Sequence, residues 1–297
     1  DRDARQIVLT ETRSMKLKAT AIGALLLLSL LVISTVQSIG VGTVSAYHGA
    51  GIFCPNNYIP DQWPWDTPDE VEFSTTCCWY IYAYLFYHYY PGPVNYTYGD
   101  PFDNDPIVTP NTYMDYLDYL EDNSDAVTVF SKGHCTPWGY GYLYRRLLCT
   151  IDGTYARDSI EIYPHTDQFK CRFNFIWHCG TTNSYPYWPP FPPDGPPSMP
   201  LAFTHNLGMT EYGYSGPCVF AGWNYASPQF FNVIPDHYPW QWGQLAVGVF
   251  YYMHYNYWSL GYTLNYLSNL IYGVNFNQSP LYNDLMVLGN MGMTLNY

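Results

Sequence analysis

The sequence predicts an α/β fold, in which a mostly parallel sheet is flanked by helices within a single domain. Short, continuous apolar runs alternate with longer segments of helical pattern. The runs AVTVFSK (126–132) and CRFNFIW (171–177) are mainly apolar and do not keep, over their full length, the alternation of apolar and polar residues that a half-exposed strand shows. We therefore expect strands that are buried on both faces, as in a parallel sheet. The 251 residues from 47 to 297 suit one domain with a sizeable core.

The first 73 residues are expected to lie outside the sheet. Residues 1–14 precede the first Met and are predicted to be an upstream extension. Residues 15–46 have the pattern of a secretory signal peptide, because two Lys residues precede an apolar run that ends in a small-residue cleavage site at Ala46. An uncleaved membrane anchor is the alternative. Residues 47–73 are rich in Pro, Trp and Asp up to about residue 70 and predict an N-terminal loop segment.

Residues 74–297 are predicted to form the folded domain. Its first run, 74–90, is apolar almost all round and fits either a buried helix or a long buried strand. A Pro- and Asp-rich loop follows at 91–110, and an amphipathic helix with a Thr or Asn cap follows that loop. The later elements are four strand-like runs ending at His134, Gly153, Gly180 and Asn224, a Pro-dense loop at 183–200, two helices within 244–272, and a terminal strand and turn.

Composition excludes several classes of function. The net charge is −13, and only six Lys and Arg residues follow residue 46, so a nucleic-acid partner is not expected. Hydrophobic residues make up 48% of the chain, which excludes general disorder. A signal peptide, an acidic charge and 33 Tyr together indicate a secreted or cell-surface protein that meets the membrane only if its signal is retained. All eight Cys follow residue 46, and an even number of Cys in an exported chain permits disulfides.

Two of the strand-like runs stop on a His-Cys pair: Gly133-His134-Cys135 and His178-Cys179-Gly180. In parallel sheets, ligands bind at the carboxyl ends of the strands. If the two strands are neighbours, His134 approaches Cys179, and an imidazole beside a thiol favours the reactive thiolate. The backbone N–H groups of Cys135 and Cys179 are candidate oxyanion donors.

The order of these parts resembles that of the caspase-like (clan CD) cysteine peptidases, in particular the gingipain and clostripain-type branch. The matching features are the amphipathic helix, the strand ending SKGH, the later strand ending in Cys179, and the downstream segments SGPCVFAGWNYASPQFF and NDLMVLGNMGMTL. The resemblance covers roughly residues 70–297. It implies a thiol-dependent endopeptidase in which His134 is the catalytic histidine and Cys179 the nucleophile.

The same resemblance places Asn224 and Ser227 in the substrate pocket and implies peptide or protein substrates cleaved after basic residues, with no cofactor required. The sequence departs from the family pattern at two positions. Cys135 stands where a Gly usually follows the histidine, and His178 stands where a small residue usually precedes the nucleophile.

Two other functions remain open at this point. The chain could keep the fold without activity and serve as a surface or structural binding protein, or it could bind a metal through the two His-Cys pairs, which match zinc in ligand type and number. A calcium site is a separate possibility, with Asp100, Asp103 and Asp105 as candidate ligands. A solvated acidic loop is the simpler interpretation of those three residues.

Overall fold

A computed structural model describes residues 47–54, 67–98, 108–138, 144–148, 154–182 and 198–296. Residues from Ala46 onward belong to one compact unit. The predictions for residues 1–14 and 15–46, and the calcium ligands Asp100, Asp103 and Asp105, lie outside the described residues. Within the described ranges, each helix is too short or too polar to cross a membrane.

The protein is an α/β fold built on a six-stranded, mostly parallel sheet, consistent with a caspase-like domain. The strands are β1 His48–Cys54, β2 Val94–Tyr98, β3 Ala126–Lys132, β7 Cys171–Trp177, β8 Val219–Trp223 and β9 Leu285–Gly289. Their order across the sheet is β2-β1-β3-β7-β8-β9. All neighbours are parallel except β9, which runs antiparallel to β8 and forms one edge.

A second, antiparallel sheet lies between β3 and β7 in the sequence. It contains β4 Cys135–Trp138, β5 Tyr144–Leu148 and β6 Tyr155–Arg157, in that order. The run that ends near Gly153 was expected to be a strand, and β5 confirms this. One irregular helical turn, Asp158–Ile162, and a 3-10 turn, Tyr163–His165, connect β6 to the segment before β7.

Six α-helices accompany the sheets in the described part of the chain. They are α1 Pro68–Tyr89, α2 Pro110–Asp122, α3 Met199–Thr204, α4 Trp242–Asn256, α5 Leu260–Tyr272 and α6 Leu281–Asp284. The structure settles the ambiguous run at 74–90 as a helix, whose N-cap is Thr67. The predicted cap of α2 is also confirmed, since Thr109 and Thr112 form a reciprocal capping box.

Two loop predictions are wrong in part. His48–Cys54, expected to be loop, is the buried strand β1, and Val94–Tyr98, also expected to be loop, is the edge strand β2. Gly49 and Gly51 weaken the strand pattern of β1 in the sequence. In the structure, a Cβ on Gly49 would lie 2.4 Å from the Ser124 hydroxyl, so the missing side chain lets α2 and its following turn approach the sheet closely.

Strand residues alternate between two apolar cores. On one face Phe130, Phe175 and Trp177 pack with α1, α4 and α5. On the other face Val127, Val129 and Ile176 pack with α2, α3 and the small antiparallel sheet. Because successive strand side chains point to opposite faces, and both faces are covered, the central strands β3, β7 and β8 are mainly apolar in sequence.

A buried ion pair connects α1 to the end of β3. The Lys132 Nζ lies 2.8 Å from the Glu70 Oε1, and both side chains are almost completely inaccessible to solvent. The same carboxylate accepts hydrogen bonds from the backbone N–H groups of Phe230 and Phe231, at 2.9 and 2.6 Å, and from the Ser74 hydroxyl at 2.9 Å. Glu70 therefore holds together a helix, a strand end and the loop after β8.

A pair of imidazoles joins α1, α4 and the C-terminal segment. The Nδ1 atoms of His88 and His254 are 2.9 Å apart, and the His88 Nε2 lies 2.9 Å from the Asn296 Oδ1. Burial, with a contribution from His88, lowers the pKa of His254 to about 4. Burial also lowers the pKa of His88. Both rings are consequently held neutral in the folded protein near neutral pH.

Breaking the buried ion pair from one side should strongly destabilise the fold. Glu70→Gln leaves the Lys132 ammonium buried without this carboxylate, and we expect a loss of about 3–5 kcal/mol in the free energy of unfolding, measured by urea denaturation. Adding Lys132→Met to Glu70→Gln should restore part of that loss, because no buried charge then remains at this position. Strictly additive effects of the two substitutions would contradict the pairing.

The histidine pair should make the fold sensitive to acid. A folded-state pKa below the unfolded value of about 6.5 means that the unfolded chain binds the extra proton first, so stability is lost as the pH falls from about 6.5 toward 4. His254→Phe keeps an aromatic ring beside Tyr84, which His254 stacks on, and removes one such group. The slope of unfolding free energy against pH should then fall by as much as about 1.4 kcal/mol per pH unit. An unchanged slope in chemical denaturation series at pH 4.5–7 would count against this assignment.

Candidate active site

The two strands that end in His-Cys pairs are neighbours in the sheet. β3 and β7 are parallel, and their last paired residues are Lys132 and Trp177. His134 and Cys179 each follow two residues later, so both lie beyond the same carboxyl edge of the sheet. The Gly133 N–H donates to the Trp177 carbonyl at 3.2 Å and extends the strand pairing by one residue. The register of two adjacent parallel strands therefore brings the predicted dyad residues to one place.

His178 forms the link between the two strand ends. Its side chain is completely buried, its Nδ1 lies 2.8 Å from the His134 carbonyl oxygen, and its Nε2 lies 2.8 Å from the Ser131 hydroxyl. Since a carbonyl only accepts, Nδ1 carries the hydrogen and Nε2 accepts from Ser131. Burial lowers the pKa of His178 to about 3, which keeps the ring in this neutral form. The ring thus fixes the backbone on which His134 sits.

The sulfur of Cys179 is half-buried and faces Ser227. The Ser227 backbone N–H donates to Sγ at 3.3 Å, and the Ser227 Oγ lies 3.4 Å from the same sulfur. Ser227 is the only hydrogen-bond partner of this sulfur in the described part of the chain. The imidazole of His134 is at the same edge but is not hydrogen bonded to the sulfur in this structure.

The turn after β7 is held against the segment after β8. The Gly180 N–H donates to the Tyr225 carbonyl at 2.6 Å, and the Thr182 hydroxyl donates to the Asn224 Oδ1 at 2.7 Å. Gly180 has a φ of 60°, a left-handed conformation that glycine adopts without steric cost. The structure therefore places Asn224 and Ser227, the predicted pocket residues, on the segment that lines the Cys179 turn.

The two predicted oxyanion donors differ in their surroundings. The backbone N–H of Cys179 has no acceptor among the described residues. Cys135 is the first residue of β4 and lies opposite Leu147 in the small sheet. The departure from glycine at this position is accommodated because Cys135 has a strand conformation. The Cys179 N–H is accordingly the stronger candidate.

The structure gives little support to a metal or disulfide role for these residues. Both ring nitrogens of His178 are occupied by protein partners, and no group of three or more His, Cys, Asp or Glu suited to a metal occurs among the described residues. Seven of the eight cysteines are described, and no disulfide bond joins any two of them. Cys179 is in that set and is available as a thiol.

Two contributors to this site were missed by the sequence analysis. Ser131 reads as an ordinary residue of a buried strand, yet its hydroxyl is the hydrogen-bond partner of the His178 Nε2. Tyr225 reads as part of a loop, yet its carbonyl anchors Gly180 beside the sulfur, and its own side chain is 71% exposed. A polar residue in a mainly apolar strand was the available signal for Ser131. No sequence signal indicated Tyr225.

Comparison with known proteins adds no further identification. No protein-family model matches the chain, and no curated protein matches it. The likeness to caspase-like peptidases consequently depends on the order of the sequence motifs and on an architecture that is consistent with it.

Proposed function

We propose that the protein is a thiol-dependent endopeptidase that uses His134 and Cys179. One observation carries the proposal: neighbouring parallel strands end in these two residues at one edge of the sheet, and the thiol is partly exposed there. The missing His134–Cys179 hydrogen bond does not oppose this function, because catalytic hydrogen bonds are often long or misaligned before substrate binds.

In this mechanism, His134 takes the thiol proton and the Cys179 thiolate attacks the scissile carbonyl carbon. The carbonyl π bond opens onto oxygen, and the backbone N–H of Cys179 stabilises the oxyanion. When the tetrahedral intermediate collapses, the C–N bond breaks, the imidazolium protonates the departing amine, and a thioester remains. Water, deprotonated by His134, then hydrolyses the thioester and regenerates the thiol.

The segment after β8 is the proposed substrate-binding wall. Asn224 and Ser227 line it, and the Asn224 N–H is bonded to the carbonyl of Asp284, the last residue of α6. The chain is acidic overall, and acidic surfaces attract basic side chains. We therefore propose a preference for Arg or Lys immediately before the cleaved bond, with secretion or surface display of the protein as its setting.

A second candidate function is a catalytically inactive protein that keeps the fold for binding or structural use. The Cys179–Ser227 pairing favours it, because the sulfur has a partner that is not an imidazole. The two candidates differ in whether Cys179 reacts as an enzyme nucleophile.

A peptidyl acyloxymethyl ketone with Arg or Lys next to the reactive group tests the proposal. We expect one covalent adduct by intact mass, lost completely in Cys179→Ala and formed at least about tenfold more slowly in His134→Ala, since the thiolate then loses its base. Cys218→Ala is the matched control, because that thiol is buried outside the site and burial raises its pKa. Cleavage of Arg- or Lys-containing peptides should follow the same order.

If Cys179 is accessible to small alkylating agents, yet reacts at the same rate in wild type and His134→Ala with no peptide cleavage, the inactive scaffold replaces the peptidase. An adduct on another cysteine would also overturn the assignment of Cys179.

His178 is proposed as a positioning residue rather than a catalytic one, since its contacts are with Ser131 and the His134 backbone. His178→Ala frees the His134 carbonyl, and we expect labelling of Cys179 to slow by about tenfold and its pH profile to shift. Ser131→Ala is the comparison, because it keeps the bond to His134 and should slow labelling far less. Equal effects from both substitutions, without a change in the pH profile, would show that His178 serves stability alone.

A further inference from the structure

A pocket of about 600 Å³ opens beside the edge strand β9, apart from the residues of the Cys179 site. This volume lies within the range of about 300–1,000 Å³ typical of ligand sites. The pocket is formed by the segment that pairs with β9, by the start of α5, and by the turn that follows α5. Its lining residues include Tyr212, Tyr214, Tyr262, Asn265, Asn275 and Tyr282.

The lining combines apolar surface with hydroxyl and amide groups, and the described residues that form it include no Asp, Glu, Lys, Arg or His. Phosphate, carboxylate and ammonium groups would therefore meet no opposite charge on entering it. Tyr hydroxyls and Asn amides can each donate and accept hydrogen bonds. This combination fits a neutral ligand with many hydroxyl groups.

Several of the lining side chains are held in place before any ligand binds. Tyr212 and Tyr282 are stacked with ring centroids 4.0 Å apart, and the Tyr212 hydroxyl donates to the Tyr282 carbonyl at 2.7 Å. The Asn265 Oδ1 accepts the Phe276 N–H at 3.0 Å, which fixes the amide group. The Asn265 Nδ2 has no acceptor among the described residues and can donate to a ligand. Preorganised groups of this kind lower the entropic cost of binding.

A partly exposed aromatic patch continues from the rim of the pocket. It consists of Tyr252, Trp258, Tyr262 and Tyr266, and Tyr262 belongs to both the patch and the pocket. Tyr262 is 57% exposed and Tyr266 is 37% exposed. The faces of aromatic rings are electron-rich, so they attract the C–H groups of a sugar ring, which carry partial positive charge. A row of such rings beside hydrogen-bonding amides can bind successive sugar units.

We propose that this pocket and patch bind a neutral oligosaccharide, with one sugar unit in the pocket and further units along Trp258 and Tyr266. The site contains no residue of the proposed peptidase machinery. Its occupant follows from the chemistry of the lining, namely aromatic faces, amides and hydroxyls without charge. Sugar binding here does not depend on the reactivity of Cys179.

Isothermal titration calorimetry with cellohexaose, chitohexaose, maltohexaose and xylohexaose tests the proposal, and hexagalacturonate serves as the anionic control. We expect at least one neutral hexasaccharide to bind with a Kd below about 1 mM and with little dependence on salt. Tyr262→Ala should weaken binding by at least about tenfold, because it removes the ring shared by the pocket and the patch.

The control variant is Tyr119→Ala, since Tyr119 is 49% exposed on α2 and does not line the pocket. Its Kd should match that of wild type, as should the Kd of Cys179→Ala, which separates this site from the proposed peptidase site. Failure of all four neutral sugars to bind at about 5 mM would overturn the proposal. So would equal binding of hexagalacturonate, or binding that survives both Tyr262→Ala and Tyr214→Ala.

Discussion

The Glu70 carboxylate is the constraint on which the candidate active site depends. It is fully buried and bonded to Lys132 at the end of β3 and to the backbone of Phe230 and Phe231 after β8. Removing two charges from water is costly, so a buried ion pair is weak evidence of net stability. The ion pair matters here because it fixes the positions of two chain segments. Lys132 stands two residues before His134, and Phe230 stands three residues after Ser227, so one carboxylate fixes the distance between the two segments that flank Cys179.

The strand ends themselves are joined by a neutral imidazole instead of a charge. His178 donates to the carbonyl of His134 and accepts from Ser131, which couples the turn carrying Cys179 to the residue proposed as its base. A small residue at position 178 would leave that carbonyl without this partner. The histidine at position 178 therefore has a structural reason, namely that it bonds the turn after β7 to the residues at the end of β3. Buried polar groups are generally hydrogen bonded, and here the side chain next to Cys179 supplies that bond to the His134 carbonyl.

The sequence predicts the parts of this fold whose patterns are local and leaves out those that depend on the sheet as a whole. Ala126–Lys132 and Cys171–Trp177 are mainly apolar runs, and α2 has a cap and an amphipathic pattern, so all three were predictable. β1 was not predictable, because Gly49 and Gly51 suggest a loop in the sequence. The structure shows that Ser124 and Leu120 pack against these two glycines. Likewise His134 and Cys179 were identifiable as residues at strand ends, but the contact of Ser227 with the sulfur arises from a loop whose path no pattern encodes.

Tyrosine connects the two proposed sites with the composition of the protein. The protein has a net charge of −13 and therefore repels anionic polymers. It also has 33 Tyr, and each Tyr side chain combines a large apolar ring with an uncharged hydroxyl group. Tyr84 and Tyr113 use that surface in the cores, whereas Tyr214 and Tyr262 present it to solvent beside uncharged amides. Neutral, hydroxyl-rich polymers are the partners that such a surface attracts and that the charge does not exclude.

With a reactive Cys179 the same chain would be a peptidase held at a glycan surface. With an unreactive Cys179 the glycan site alone gives the inactive scaffold a function, because the aromatic pocket requires no chemistry at the sheet edge.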